Sequence, residues 1–386
     1  MVVIKKVSAR PILDSRKEKT ILVSIKTNFG KFSASSPNGK SRGKYEQKPY
    51  KKDLQGDIRT LKQFSSYFSK DEIEKFEDLH RVEDIVDRHV GANTLFALES
   101  AVLKALAKEK RKQVWEIINP NARKLPRLVG NCIGGGLHSQ SQGKKPDFQE
   151  FLLIPRMRDA KEDFEINKKA KKEAYYLLKE KDEKFQGKKN DEDAWQTSLN
   201  EKEVLDILKN MKVDIGVDIA ASSFYKRKKY LYHNPVLSRD SEEQNSYISN
   251  LAKNFSLFYV EDPFEENDFS SFSKLLKKHP DALIVGDDLT ATNEKRLARA
   301  LEEKSINAII VKPNQNGSLL EVKEICETAK KHGIKIVFSH RSGETMENIL
   351  ADLAFGFQAD FFKCGITGKE REVKIKRLIE IERKLK

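Results

Sequence analysis

Cysteine is scarce in this chain: there are three, Cys132, Cys326 and Cys364, far apart and in no CxxC spacing. That argues against a disulfide framework or a cysteine-built zinc site and suits a reducing cytoplasm. Long apolar runs are missing too. None reaches the ~18 residues that mark a membrane-spanning helix, and the opening MVVIKKVSARPILDSR lacks the apolar core of a secretion signal. No glycine-rich dinucleotide fingerprint follows a strand-like run. What the chain has in quantity is charge: 34% of its 386 residues, with a formal net charge of +14. Acidic residues are mixed into most lysine clusters, as in KKAKKEAYYLLKEKDEKFQGKK (168–189), so the excess reads first as a solvated surface. A nucleic-acid partner is left open by charge alone and supported by no motif.

The chain is longer than one hydrophobic core usually serves, so two domains are expected. Residues 1–36 carry three partly alternating runs that predict a strand meander, and 37–55 is a polar, basic stretch rich in turn formers. Helical periodicity follows at 56–89 and, more strongly, in GANTLFALESAVLKALAKEK (91–110). These elements predict a small α+β domain over 1–125. From 126 to 386 the rhythm changes. LFYVEDPF, ALIVGDDL, AIIVKPNQ, KIVFSHRS and DFFKCG are short apolar runs separated by amphipathic segments. Strands alternating with helices mean parallel βα units, and this many in succession predict an α/β fold of (β/α)8-barrel type. An open doubly wound sheet is the structural alternative.

Each of these runs ends in a polar or charged residue: Asp218 in VDIGVDIAAS, then Glu261, Asp287, Lys312, His340 and Lys363. The last five follow one another at the spacing of a single βα unit. Equivalent positions in a parallel barrel converge on one mouth, so the six side chains should meet there. Three carboxylates without cysteine or histidine supply hard oxygen donors, a set that suits Mg²⁺. Two lysines and a histidine face them. A lysine beside another cation and a metal is expected to have its pKa lowered, which would make it a base for a weakly acidic carbon proton.

The same residues sit in motifs that resemble the enolase family. ARPILDSR, SPNGKSRGKYE (36–46), GGGLHSQ (134–140), FQEFLLIP (148–155), VDIAASSFY, VEDPF, GDDLTATN, VKPNQNGSLLE and SHRSGET follow in that family's order over nearly the whole chain. The resemblance implies an α+β capping domain with a mobile catalytic loop, then a barrel with an irregular ββαα start. It implies an Mg²⁺-dependent lyase that dehydrates 2-phosphoglycerate to phosphoenolpyruvate, with two Mg²⁺ per site. Asp218, Glu261 and Asp287 would hold the first ion, and Ser41 would join the second. Lys312 would be the base, and Glu192 with Glu150 the acid. Lys363 would hold the substrate carboxylate, Arg341 and Ser342 its phosphate, while His138, His340 and Gln149 line the pocket. The resemblance further implies a homodimer or larger homo-oligomer.

Several positions depart from the family pattern. Asp193-Ala194 follow Glu192 where the family has two glycines, which would disturb a backbone turn and shift Glu192. Lys40 and Arg42 replace small loop residues, Ser223 stands where a glutamate is common, and Cys364 replaces a threonine. Two alternatives follow: an enzyme of the same superfamily acting on another carboxylate, or a catalytically impaired relative kept as a binding protein.

Overall fold

The computed structural model describes residues 1–40, 43–86, 88–139, 143–156 and 159–386. The expected meander forms an antiparallel sheet of Val2–Leu13, Lys19–Thr27 and Gly30–Ser35, and Glu72–Ile73 adds a short fourth strand against Val2 and Val3. Alternation decides which face is buried: Val7, Val23 and Ile25 turn inward. That face packs on the helix Ala92–Lys110, whose Phe96, Leu98 and Val102 are buried. The helical stretch predicted over 56–89 is not continuous. Asp53 caps the helix Leu54–Phe64 by accepting from the Gly56 amide, and a second helix, Leu79–Val86, starts only after the short strand. Pairing with Val2 and Val3 claims the intervening residues and overrides their helical periodicity.

Eight strands close into a barrel. In order they are Arg127–Gly134, Glu150–Ile154, Asp214–Asp218, Tyr259–Glu261, Leu283–Gly286, Ala308–Val311, Lys335–Ser339 and Phe361–Gly365, and the last pairs in parallel with the first. The second strand runs antiparallel to both neighbours. Two helices, Ala160–Lys181 and Glu201–Leu208, follow it before the third strand, giving the irregular ββαα opening. Val129, Leu152, Ile154, Tyr259, Val285, Ile310 and Val337 fill the interior. Gly216 makes room for this packing, since a Cβ there would lie 2.7 Å from that of Tyr259. The N-terminal sheet and its helix dock beside the open end of the barrel. Asn38 pairs with Gly343 and Asn314 Nδ2 donates to Asn93 Oδ1 at 2.9 Å.

Candidate active site

The barrel sets the side chains at one end. Asp218 and Glu261 are the last residues of adjacent parallel strands and lie opposite one another in register. Asp287, Lys312 and His340 each follow the last residue of their strands, and Lys363 lies across from Ser339. Glu150 reaches the same level by the opposite route. Its strand is antiparallel, so its first residue rather than its last faces Asp218. A cavity of about 380 Å³ opens over these residues, walled on one side by Gly39, Lys40, Gly43, Lys44 and Glu46 of the polar loop. That volume suits a small ligand.

Two lysines sit among the carboxylates. The Lys363 ammonium donates to Asp218 Oδ2 and Glu261 Oε2, both at 2.8 Å, and lies 3.2 Å from Glu150 Oε2. Burial alone would lower its pKa, but Asp218 and the two glutamates outweigh this and hold it well above the ordinary lysine range. Lys312 pairs with Asp287 Oδ2. Its pKa is raised, not lowered as the sequence led us to expect. Burial, Arg341 and Lys363 all pull it down, yet the Asp287 carboxylate outweighs them. Asp287, not its neighbour Asp288, is the acid that takes Lys312. Asp288 instead shares a neighbour with Asp287: both backbone amides donate to the Asp262 carboxylate, at 2.7 and 3.0 Å. Burial, then the charge of Asp287, pushes the Asp288 carboxyl up to about 7.

Three carboxylate oxygens of the site, Glu150 Oε2, Glu261 Oε1 and Asp287 Oδ1, are buried with no hydrogen-bond partner among the described residues. Orphaned buried acceptors in an all-oxygen donor set fit a hard divalent cation. Among the described residues, two groups bring three ligand atoms within 4.8 Å of one another: Asp262, Asp287 and Asp288, and separately His138, Glu150 and Glu192. The trio Asp218, Glu261 and Asp287 is not one of them: Lys363 bridges Asp218 and Glu261, and Lys312 takes Asp287.

Glu192 occupies a third corner. It accepts from Asn131 Nδ2 at 2.9 Å and lies 3.4 Å from His340 Nε2 and 3.5 Å from His138 Nδ1. His138 Nδ1 also lies 3.6 Å from Glu150 Oε1. Burial raises both glutamates, but His138 and His340 hold Glu192 well below the carboxylate range, while Glu150 stays raised. The pair therefore shares its protons unequally, with Glu150 the more readily protonated. Gln149 Nε2 donates to Asp218 Oδ2 at 3.4 Å.

On the opposite wall, Arg341 grips Glu46 with one guanidinium nitrogen, 3.2 and 2.9 Å from the two carboxylate oxygens. The Ser342 hydroxyl accepts from the Lys40 amide at 2.8 Å and from Arg16 at 3.2 Å. Ser41 lies outside the described residues. Sequence reasoning missed Asp262, Glu46, Asn131 and Arg16. Asp262 carried a signal, standing beside Glu261 as Asp288 stands beside Asp287; Glu46 carried none beyond its place in the loop. The other histidines and both tryptophans make local contacts: His233 pairs with Asp147, His279 bonds Ser249, and Trp115 packs edge-on against Phe355.

Comparison with known proteins adds a family. Residues 122–386 match the family described as "Enolase, C-terminal TIM barrel domain". The chain is 37% identical to an enolase of Sulfurisphaera tokodaii over 405 residues, covering 98% of this chain and 95% of that one. It is 36% identical to an enolase of Pyrobaculum aerophilum over 376 residues, 90% and 87% of the two chains. An enolase of Methanosphaera stadtmanae is 33% identical over 407 residues, 99% and 97%.

Proposed function

The chain belongs to the enolase family, and from that premise we propose that it is a hydro-lyase converting 2-phosphoglycerate to phosphoenolpyruvate with bound Mg²⁺. The observation that carries the proposal is the meeting of Lys312, Arg341 and a ring of buried carboxylates in one small cavity. Asp218, Glu261 and Asp287 would hold Mg²⁺, with Ser41 at a second ion. Two divalent cations at a substrate carboxylate stabilise the negative charge that builds there when the neighbouring C–H is ionised.

The chain's own residues supply the rest. Lys312 would remove the C2 proton, the Asp287 carboxylate that holds its pKa up here serving Mg²⁺ instead when the ion is bound. Lys312 is held at the end of its strand with no freedom to turn away, since its amide donates to Thr292 and its ammonium to Asp287. Glu192 and Glu150, bridged by His138, form the acid that protonates the departing hydroxyl. His340 keeps Glu192 in place, and Gln149 supports Asp218. Lys363 takes the substrate carboxylate. Arg341 and Ser342 take the phosphate, and the grip of Arg341 on Glu46 is the kind a guanidinium makes on an oxyanion. Burial of all these groups keeps water from competing for them.

We extend the proposal to a capping unit over 1–125 and a catalytic barrel over 126–386, to a cytoplasmic location, and to a homodimer or larger assembly. Three buried, unpaired cysteines support the reducing compartment, and no helix among the described residues is long and apolar enough to cross a membrane.

The test is the ultraviolet absorbance rise of phosphoenolpyruvate from 2-phosphoglycerate, with and without Mg²⁺, beside Lys312→Ala. Turnover that needs Mg²⁺ and falls at least ~10³-fold in the variant is expected. A folded, Mg²⁺-loaded protein with no turnover overturns the assignment and turns attention to other carboxylate substrates.

A further inference from the structure

We propose that Asp193, tied to the buried Lys171 and to Thr367, is the positioning residue for Glu192. The inference rests on the hydro-lyase reading above, in which Glu192 belongs to the acid. Glu192 lies in a turn between the helix Ala160–Lys181 and the last barrel strand, and its neighbour Asp193 has φ +64. That left-handed conformation is natural to glycine and, among residues with side chains, is best tolerated by asparagine and aspartate. Asp193 therefore keeps the turn that loss of both glycines was expected to disturb, and its side chain adds something a glycine cannot.

Asp193 Oδ2 accepts from Lys171 at 3.2 Å, from Lys189 at 2.9 Å and from the Thr367 hydroxyl. The Lys171 ammonium also donates to the Asp193 carbonyl and to Thr367. Its side chain is 3% exposed, and burying an ammonium is costly unless it is paired. The tie is thus fixed at its Lys171 end inside the protein, while the Asp193 side chain is only partly buried. It joins three elements: the long helix through Lys171, the turn through Asp193, and the segment after the last strand through Thr367.

The geometry points to Glu192 as the beneficiary. Asn190 already holds the turn from within, accepting from the Glu192 and Ala194 amides at 3.0 and 2.9 Å. On the far side the last strand presses close, because a Cβ on Gly365 would lie 2.7 Å from the Glu192 carbonyl oxygen. Asp193 locks the turn against that strand. The strand carries Lys363, four residues before Thr367, so the link fixes Glu192 relative to the lysine that takes the substrate carboxylate.

The experiment compares wild type with Asp193→Gly, which keeps the positive φ without strain but loses the link, and with Asp193→Asn, which can retain it. Measured are kcat, KM and the pH profile of kcat, with hydrogen exchange across 190–194 read on the protein without substrate. The link predicts a fall in kcat of about ten-fold in Asp193→Gly, with KM within about two-fold, a displaced pH profile and faster exchange, largely rescued by Asp193→Asn. A folded Asp193→Gly with wild-type kcat and pH profile overturns the inference, as does equal slowing by Gly and Asn. Should Asp193→Gly fail to fold, Thr367→Val removes one arm of the link at constant shape and must slow kcat with the same displaced profile, or the inference falls. Wild-type protein without turnover overturns the inference together with the hydro-lyase reading, whereas turnover that survives Asp193→Gly overturns the positioning role alone.

Discussion

Replacing Lys363 by methionine tests how the site stays folded with so many acids inside it. The Lys363 ammonium is the shared partner of Glu150, Asp218 and Glu261, and all four side chains are at most 3% exposed. Methionine fills a similar volume and removes the charge, leaving the carboxylates to face one another. Breaking a buried ion pair by removing one partner costs about 3–5 kcal/mol. Unfolding entropy of about 2.1 cal/mol/K per residue gives a 386-residue chain about 0.8 kcal/mol/K, so the cost appears as a fall of about 4–6 °C in the thermal midpoint. The assay is a thermal melt of both proteins in EDTA across a pH series. Burial already pushes the Glu150 and Glu261 carboxyls up, and without the lysine they protonate more readily still. The deficit is therefore largest above neutral pH and shrinks in acid. Equal midpoints above neutral pH would refute the account of Lys363 as their counterion.

Three further outcomes follow from the geometry. Arg341→Lys replaces a guanidinium fork by a point charge, and KM for a phosphorylated substrate should rise about 10- to 100-fold in steady-state kinetics, with kcat moved less. Glu192→Gln should release His340. Burial works against the imidazolium, but Glu192 outweighs it and lifts His340 from 6.5 to about 10. A raised histidine stabilises the fold fully below its unfolded pKa and loses that contribution as pH climbs through the folded one. The midpoint gap between wild type and variant should accordingly narrow from about pH 6.5 toward pH 10, and a gap independent of pH would count against the pairing. Glu99→Gln should stabilise the protein increasingly as pH rises. Burial, then the charge of Glu83, holds the Glu99 carboxyl well above 4.5. The folded state thus keeps a proton that the unfolded chain gives up, and wild type loses stability upward from about pH 4.5; parallel melts of the two proteins decide it.

The ladder of strand-end residues was legible because barrel closure turns a one-dimensional spacing into a shared location. Asp218, Glu261, Asp287, Lys312, His340 and Lys363 needed only their place at the end of an apolar run. What no spacing could reveal is which cation each acid takes, since that depends on side-chain reach across the mouth. Lys312 on Asp287 reversed the expected direction of its pKa for this reason. Glu46 on Arg341 and Asn131 on Glu192 join residues distant in sequence, with no pattern in either partner to announce them. The break in the helix over 56–89 was hidden likewise, because Ile73 fits a helical stripe as well as it fits the edge of a sheet.

The reversed second strand separates the chemistry of the barrel mouth from the length of the chain that surrounds it. Pairing of Gly134 with Glu150 anchors both ends of the intervening segment, so this wall of the site is a hairpin held at its base and not a strand-to-helix passage. Residues added at Gly143 or Lys144 leave the register of Glu150 against Asp218 untouched, and each doubling of such a loop costs only about 0.6 kcal/mol. The exposed pair Gly143 and Lys144 is therefore where this scaffold can take up insertions, and so acquire new neighbours above the cavity, while the carboxylates beneath keep their places.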